Sequence, residues 1–500
     1  VADFATRYND FKGGDWGTRD PAVVDQDTFH GENLAPYRTR LLGPRAGLKL
    51  LPVTGLPPHS VAPGPMGFAA WDDKLLIVLG RVYQFPQVGG AATAWAPYSV
   101  SATTPVRFVF GNGKAYSLVA GTLYRHDGTT ATVPISTPAP FSEIIRWGYY
   151  MVAVDINRPW RIWFNQVDAA GTNFDVWPAN NFLDIGNNDP ITALTPIFNT
   201  LYVGKREGWW AVSGVLGTLA SVRDVVIGNG PMSQRLASVT TDNRVIYWPV
   251  QSAPAWFNGE RVYLDEDQEM RPRNLPFVGD TVIVTPTSRR LILAGDDGVD
   301  THVWSWATSA WTHHRTGFRL GALTPADVRA GSDMPEDVIY AAQRPTTVGD
   351  PVVVASLHHG LDRPAHASDQ FAAPNDAGVG GLVSGNVSMP AYYDGVGRQV
   401  SVRSVIVQFR KWASGVADTV NQLRCRVDSL GRYSGGVTEG ITHEWVEPCS
   451  RSSSDGTDDS WRINVGDQGW GNGFQVHLPL VSGVAIREVV VLVSVRTERT

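Results

Sequence analysis

KLLIVLGRVYQF, residues 74–85, reads as an apolar strand, a tight Gly-Arg turn and a second strand carrying aromatics. The same order of features recurs in KAYSLVAGTLYRHDG from Lys114, YYMVAVDINRPWRIWF from Tyr149, TLYVGKREGWWAV from Thr200, RVIYWP from Arg244, RLILAGDDGVDTHVWSW from Arg290 and DVIYAAQ from Asp337. In these seven units the equivalent apolar positions are Leu75, Ala115, Tyr150, Leu201, Val245, Leu291 and Ile339, which lie 40, 35, 51, 44, 46 and 48 residues apart. Four strands with short turns need roughly 40–50 residues, so each unit is expected to be one four-stranded sheet. A sheet that small gains a core only by stacking against its neighbours, and radial closure limits its exposed edges. The expected fold is therefore all-β: a β-propeller of about seven blades over residues 61–359.

Outward from the repeat, helical periodicity is nearly absent, and short apolar runs bounded by Gly, Asn, Asp and Pro continue to both ends. Residues 1–60 read as an N-terminal arm and first propeller strands, and 360–390, rich in Gly, Pro, Ala and Asp, as a loop-rich linker. Over 391–500, QVSVRSVIVQFRKW, QLRCRVDSL, DSWRINV, GFQVHLPL and VAIREVVVLVSV supply the alternating strands of a C-terminal β-sandwich. Trp163, Trp209, Trp210, Trp248, Trp304 and Trp306 are expected to pack blade against blade, with ligand stacking as the rival role. The Trp71-Asp72 dipeptide stands alone, no double-glycine kelch pattern repeats, and no Ser-x-Asp-x-Gly-x-Thr-Trp box occurs.

Composition removes several function classes. With 43% hydrophobic residues, 51 Gly, 33 Pro and 18% charged residues, the 500-residue chain reads as globular and strand-rich. Net charge is −6 and no run of Lys and Arg exceeds two residues, so no polybasic footprint for nucleic acid is present. A mildly acidic protein remains compatible with a DNA conduit, whose wall must repel phosphate. No apolar stretch approaches the roughly 20 residues that span a bilayer, and VADFATRYND carries no leader pattern, which predicts a protein made and kept in the cytosol. Cys425 and Cys449 are the only cysteines; they read as half-buried thiols on neighbouring strands, with pairing left open.

Three groups of residues could carry chemistry. Asp265, Glu266, Asp267 and Glu269 in YLDEDQEM could hold a cation or form a glycan-cleaving pair, yet four carboxylates so close repel one another and favour a solvated turn. Asp296, Asp297 and Asp300 in GDDGVD lack the ligand count and closing acid of a calcium loop. His313-His314 and His358-His359 are adjacent pairs, and neighbouring strand residues point to opposite faces, so neither pair readily chelates one metal. There is no nucleophile elbow, Walker loop or dinucleotide fingerprint. The expectation is a non-enzymatic protein with no catalytic, cofactor or metal site.

Both ends resemble virion proteins of tailed bacteriophages. FKGGDWGTRDPAVVDQDTFHGENLAPYRTRLLGPRAGLKLL, residues 11–51, resembles the start of tail nozzle and tail-hub propellers through Gly13, Gly14, Asp20, Pro21, Glu32, Asn33, Leu34, Gly43, Pro44, Arg45 and Gly47. GNGFQVHLPLVSGVAIREVVVLVSVRTER, residues 471–499, resembles the terminal sandwich of phage tail proteins. The resemblance implies a homo-oligomeric ring, usually of six copies, that extends the portal and adaptor around the DNA exit path. It also implies contacts with portal, adaptor or tail-fibre proteins, assembly in the host cytoplasm and residence in the virion tail. The chain departs from short-tailed phage nozzles in being smaller and lacking long insertions between blades, so a minor tail protein or tail-tip binder of host glycan is a second expectation. Loops 55–67 and 360–395 are candidate contacts between subunits. Arg7, Lys12, Arg19, Arg38, Arg40 and Arg45 suggest docking of the N-terminal stretch onto an acidic neighbour, unless it supplies an ordinary strand that closes the ring.

Overall fold

The computed structural model describes residues 51–59, 67–95, 104–127, 133–168, 171–217, 219–228, 230–234, 255–264, 347–358 and 385–389, and elsewhere individual strands. Seven four-stranded antiparallel units follow one another along the chain. Blade one is Phe68–Trp71, Lys74–Val78, Val82–Pro86 and Thr93–Ala94; blade two is Val106–Gly111, Lys114–Val119, Thr122–His126 and Val133–Pro134. Blade three is Phe141–Trp147, Tyr150–Asp155, Arg161–Phe164 and Phe182–Asp184; blade four is Ile191–Ile197, Thr200–Lys205, Gly208–Ser213 and Ser221–Ile227. Blade five is Ala237–Val239, Val245–Tyr247, Ala255–Phe257 and Val262–Leu264, and blade six is Ile283–Pro286, Arg290–Ala294, Asp300–Ser305 and Ala310–Arg315. Blade seven takes Leu320–Ala326, Val338–Gln343 and Val354–His358, then borrows Leu48–Leu50 from the start of the chain as its outermost strand. All seven positions aligned in the sequence repeat fall in the second strand of their blades.

The second strands show why the units must stack. They are buried almost end to end, in the pattern of strands covered on both faces. In blade one, Leu75 and Ile77 pack toward blade seven while Leu76 and Val78 pack toward blade two. In blade three, Met151 and Ala153 join blade two, and Val152 and Val154 join blade four. The two-residue period of a strand thus divides each blade between its two neighbours.

First strands of successive blades adjoin one another around a complete circle, from blade one through blade seven and back to blade one. At that seam Leu51, Leu75, Ile77 and Phe85 meet Tyr340, Ala342 and Val354 in one apolar cluster. Pairing of Leu48, Lys49 and Leu50 with Leu357, Ser356 and Ala355 locks the two ends of the ring together.

Apart from three two-stranded ladders, the remaining strands form two further sheets. One is ordered Leu34–Pro36, Leu42–Pro44, Val484–Arg496, Gln399–Lys411, Asp458–Asn464, with Ala2–Tyr8 also lying along Val484–Arg496. The other runs Thr28–Glu32, Gly385–Ser388, Gly473–Leu480, Gln422–Leu430, Ile441–Pro448. They touch where Phe4 of the first sheet meets Tyr392, which stacks on Phe474 of the second, at 5.2 and 5.3 Å between ring centroids. Thr28–Glu32 also lies parallel to the outermost strand of blade six, with Glu32 opposite His313, so a propeller sheet runs on into the sandwich.

Candidate interaction surface

Strand direction alternates within each blade, and short links such as residues 185–190 lead from a fourth strand to the next first strand. Turns joining first to second and third to fourth strands therefore gather on one face of the ring. The other two classes of connection gather on the opposite face.

The first face exposes four large apolar side chains over blades three and four. Tyr149, in the first turn of blade three, is 73% exposed, and Phe198, in the matching turn of blade four, is 78% exposed. Val215 and Leu219, in the last turn of blade four, are 53% and 77% exposed. On the opposite face the same two blades present Asn157, Arg158, Asn187, Asn188, Arg206 and Glu207, all exposed, together with Ile156 and Ile227.

Phe198 is also strained. The first residue of this turn has positive φ in all four blades where it is described: Asp72 at 52°, Asn112 at 52°, Gly148 at 58° and Phe198 at 49°. Asp, Asn and Gly tolerate that conformation; a bulky side chain does so at a cost. A strained aromatic in water contributes nothing to the core, and backbone strain of this kind gathers at functional positions.

Beneath the surface, buried polar groups staple blades together. Lys205, wholly buried, donates to the carbonyls of Ile185 and Asn187 and to Asn187 Oδ1, and lies over the Trp210 ring. Burial pushes its ammonium down to about 8, against a weaker pull from Asp189. His126, 3.1 Å from Ser117 Oγ and against the Trp95 ring, is pushed down to about 3 by burial. Asp175, on the long last connection of blade three, accepts from Tyr116 Oη and Arg125 of blade two. Within blade three, Arg161 grips the exposed Asp184 of the outermost strand through two bonds of 2.7 and 2.8 Å beside the Phe182 ring. On the innermost strands, Arg107 of blade two meets Glu143 of blade three at 3.1 Å; burial raises the Glu143 carboxyl and Arg107 opposes the rise.

The residues singled out in the sequence are dispersed. Trp163 is buried with Nε1 donating to Asp155, and Trp209 is enclosed by Tyr247 and Phe257 of blade five, so both pack rather than bind. Trp210 is partly buried in the blade three–four core, and Trp304 stands opposite Trp311. Trp248 and Trp306 lie outside the described residues, as do Asp265, Glu266, Asp267, Glu269, Asp296, Asp297 and His359. Asp300 pairs with Arg315 in register, His313 with His302, His314 with Thr301, and His358 with Val338. Among the described residues no group of three or more His, Cys, Asp or Glu side chains could hold a metal, and no helix is long and apolar enough to cross a membrane.

Arg7 reaches Glu488 at 3.4 Å; Lys12, Arg19, Arg38, Arg40 and Arg45 lie outside the described residues. Cys425 stands opposite Trp445 in its ladder, and Cys449 lies outside the described residues. Tyr149 and Phe198 were not singled out in the sequence. Aligning the turns, Asp72-Asp73, Asn112-Gly113, Gly148-Tyr149 and Phe198-Asn199, would have shown aromatics where polar turn residues belong.

Neither protein-family models nor curated proteins match the sequence. Among solved structures, the chain is similar to the computationally designed Ika8 protein, at 12% identity over 62% of this chain and 99% of that one, with a TM-score of 0.40. It is similar to YCF48 from Cyanidioschyzon merolae at 12% identity over 63% and 99% of the two chains, TM-score 0.39. For AztD from Citrobacter koseri the identity is 11% over 66% and 98%, TM-score 0.35. The topology itself shows the fold: an all-β chain whose small antiparallel sheets are the blades of a propeller, with two further sheets beside them.

Proposed function

We propose that this chain is a structural protein of a bacteriophage tail, a nozzle-type ring component that extends the portal and adaptor channel through which DNA leaves. One observation carries the reading. The two stretches that resemble phage tail proteins, residues 11–51 and 471–499, stand at opposite ends of the chain yet contribute strands to the same sandwich, the first stretch ending in blade seven. Leu42 pairs with Ile486, and Thr28–Glu32 reaches Gly473–Leu480 through Gly385–Ser388. On this reading the work is geometric rather than catalytic: copies form a ring, and the face of blades three and four that exposes Tyr149 and Phe198 seats it on the next tail component.

Electron microscopy of the purified protein and of virions tests this. Rings of the isolated protein, found again around the tail axis, are the expected result. A protein that stays monomeric at tens of micromolar and occurs nowhere along the tail would overturn it.

A second reading, a tail-tip protein that binds host glycan, is favoured by the two exposed aromatics Tyr149 and Phe198 on one face, because sugar rings stack on such side chains. Glycan-array binding that disappears in Tyr149→Ala and Phe198→Ala would select this reading over the first.

A further inference from the structure

Outermost strands are short in five of the seven blades: two residues in Thr93–Ala94 and Val133–Pro134, three in Phe182–Asp184, Val262–Leu264 and Leu48–Leu50. Short outer strands are one way a sheet avoids pairing with another chain. Two blades depart from this. The six-residue strand Ala310–Arg315 of blade six is covered by Thr28–Glu32 of the same chain. The seven-residue strand Ser221–Ile227 of blade four has no strand along its outer side among the described residues.

Ser221, Arg223, Asp224 and Ile227 are exposed, Ile227 by 86%; the strand contains neither Pro nor Lys, and its edge is guarded only by one Arg, one Asp and a bulge. Ser221 to Asp224 keep a regular register with Ser213 to Trp210, and the one irregularity, at Val225, comes after them. Every second residue of an antiparallel edge directs its N–H and C=O away from its partner. From Ser221 to Asp224, before the bulge, blade four thus offers a row of backbone donors and acceptors that an extended segment would complete as a fifth strand.

We propose that this edge receives a sandwich strand from a second copy of the chain; the proposal rests on the ring reading above and names the junction within it. The occupant is argued from the chain itself. Its sandwich ends in two strands with no outer neighbour among the described residues, Asp458–Asn464 of seven residues and Ile441–Pro448 of eight, both long enough to match Ser221–Ile227. The chain already makes such a junction internally, where the blade six sheet continues through Thr28–Glu32 into the sandwich. A propeller edge on one copy and a sandwich edge on the next are different surfaces, so their pairing is head to tail and closes a ring when the rotation between copies permits.

The test places a photo-crosslinking phenylalanine derivative at position 223 of the full chain, in an equal mixture of unlabelled and 15N-labelled protein, and maps the products by mass spectrometry. Mixed-isotope cross-links from the 221–227 strand to 441–448 or 458–464 are expected. Val225→Pro, placed where the register already shifts, should reduce the oligomer at least ten-fold at fixed concentration; because Val225 also packs against the blade four–five cluster, circular dichroism and thermal unfolding check that the fold is kept. Cross-links confined to one isotope, or leading elsewhere on the second copy or to another tail protein, overturn the junction. If rings persist in that case, the ring reading stands without it. A chain that never associates under any condition overturns both.

Discussion

The backbone N–H of Ala70, on the first strand of blade one, donates to Thr324 Oγ1, on the first strand of blade seven, at 3.2 Å across 254 residues of sequence. This bond sits on the seam where the ring closes, beside the apolar cluster shared by the two blades. Thr324→Val keeps the shape and removes the acceptor, so it should lower the free energy of unfolding by about 1 kcal/mol in urea titrations. A chain begun at residue 51 loses Leu48–Leu50 together with the sandwich strands Ala2–Tyr8, Thr28–Glu32, Leu34–Pro36 and Leu42–Pro44, and should instead show a broadened, non-cooperative transition.

Acid should weaken the fold through His126. Its imidazole is buried and held down to about 3, whereas in the unfolded chain it titrates near 6.5. Between those values the unfolded state binds the extra proton, so stability is complete above pH 6.5 and declines as pH falls toward 3. At pH 5 the loss is about 2 kcal/mol. Denaturant titrations from pH 7 to 4 should show this slope in the parent and a shallower one in His126→Gln.

Lys205 should act at the alkaline end. Its ammonium is held down to about 8 in the fold against 10.5 in the unfolded chain. Across that interval the unfolded state again carries the extra proton, so this group's contribution to stability rises with pH from about 8 to 10.5. The difference in unfolding free energy between the parent and Lys205→Met should therefore grow in favour of the parent over that range. A difference that shrinks would show that the buried ammonium is held by its three acceptors more firmly than burial opposes it.

Phe198→Asn should separate stability from docking. Asn tolerates the positive φ of 49°, so the variant should be more stable by about 1 kcal/mol. On the proposed tail reading, an exposed ring that contacts a partner predicts that the same variant is incorporated into virions less well, measured by protein content of purified particles. Equal incorporation with raised stability would remove Phe198 from the docking surface.

Much of the ring was legible before the structure. Leu75, Ala115, Tyr150, Leu201, Val245, Leu291 and Ile339 sit in second strands, which are covered on both faces and so print continuous apolar runs into the sequence. The candidate surface was far less legible. Tyr149 and Phe198 occupy two-residue turns that stand out only when the turns of successive blades are aligned, because within its own apolar run each reads as one more strand residue. Trp209 illustrates the converse, since adjacent Trp209 and Trp210 differ only in which blade each faces.

The amino-acid order alone determined the strand period, the length of the repeat and hence a circle of small sheets, because these depend on contacts within forty to fifty residues. Tertiary structure alone decided where the first fifty residues go. Leu48–Leu50 complete the seventh blade, Thr28–Glu32 join blade six to the sandwich, and Ala2–Tyr8 lie along Val489–Val495. Such short strands carry no local signal of their partner; each is specified by the unpaired edge it meets hundreds of residues later, and that edge exists only once the ring has formed.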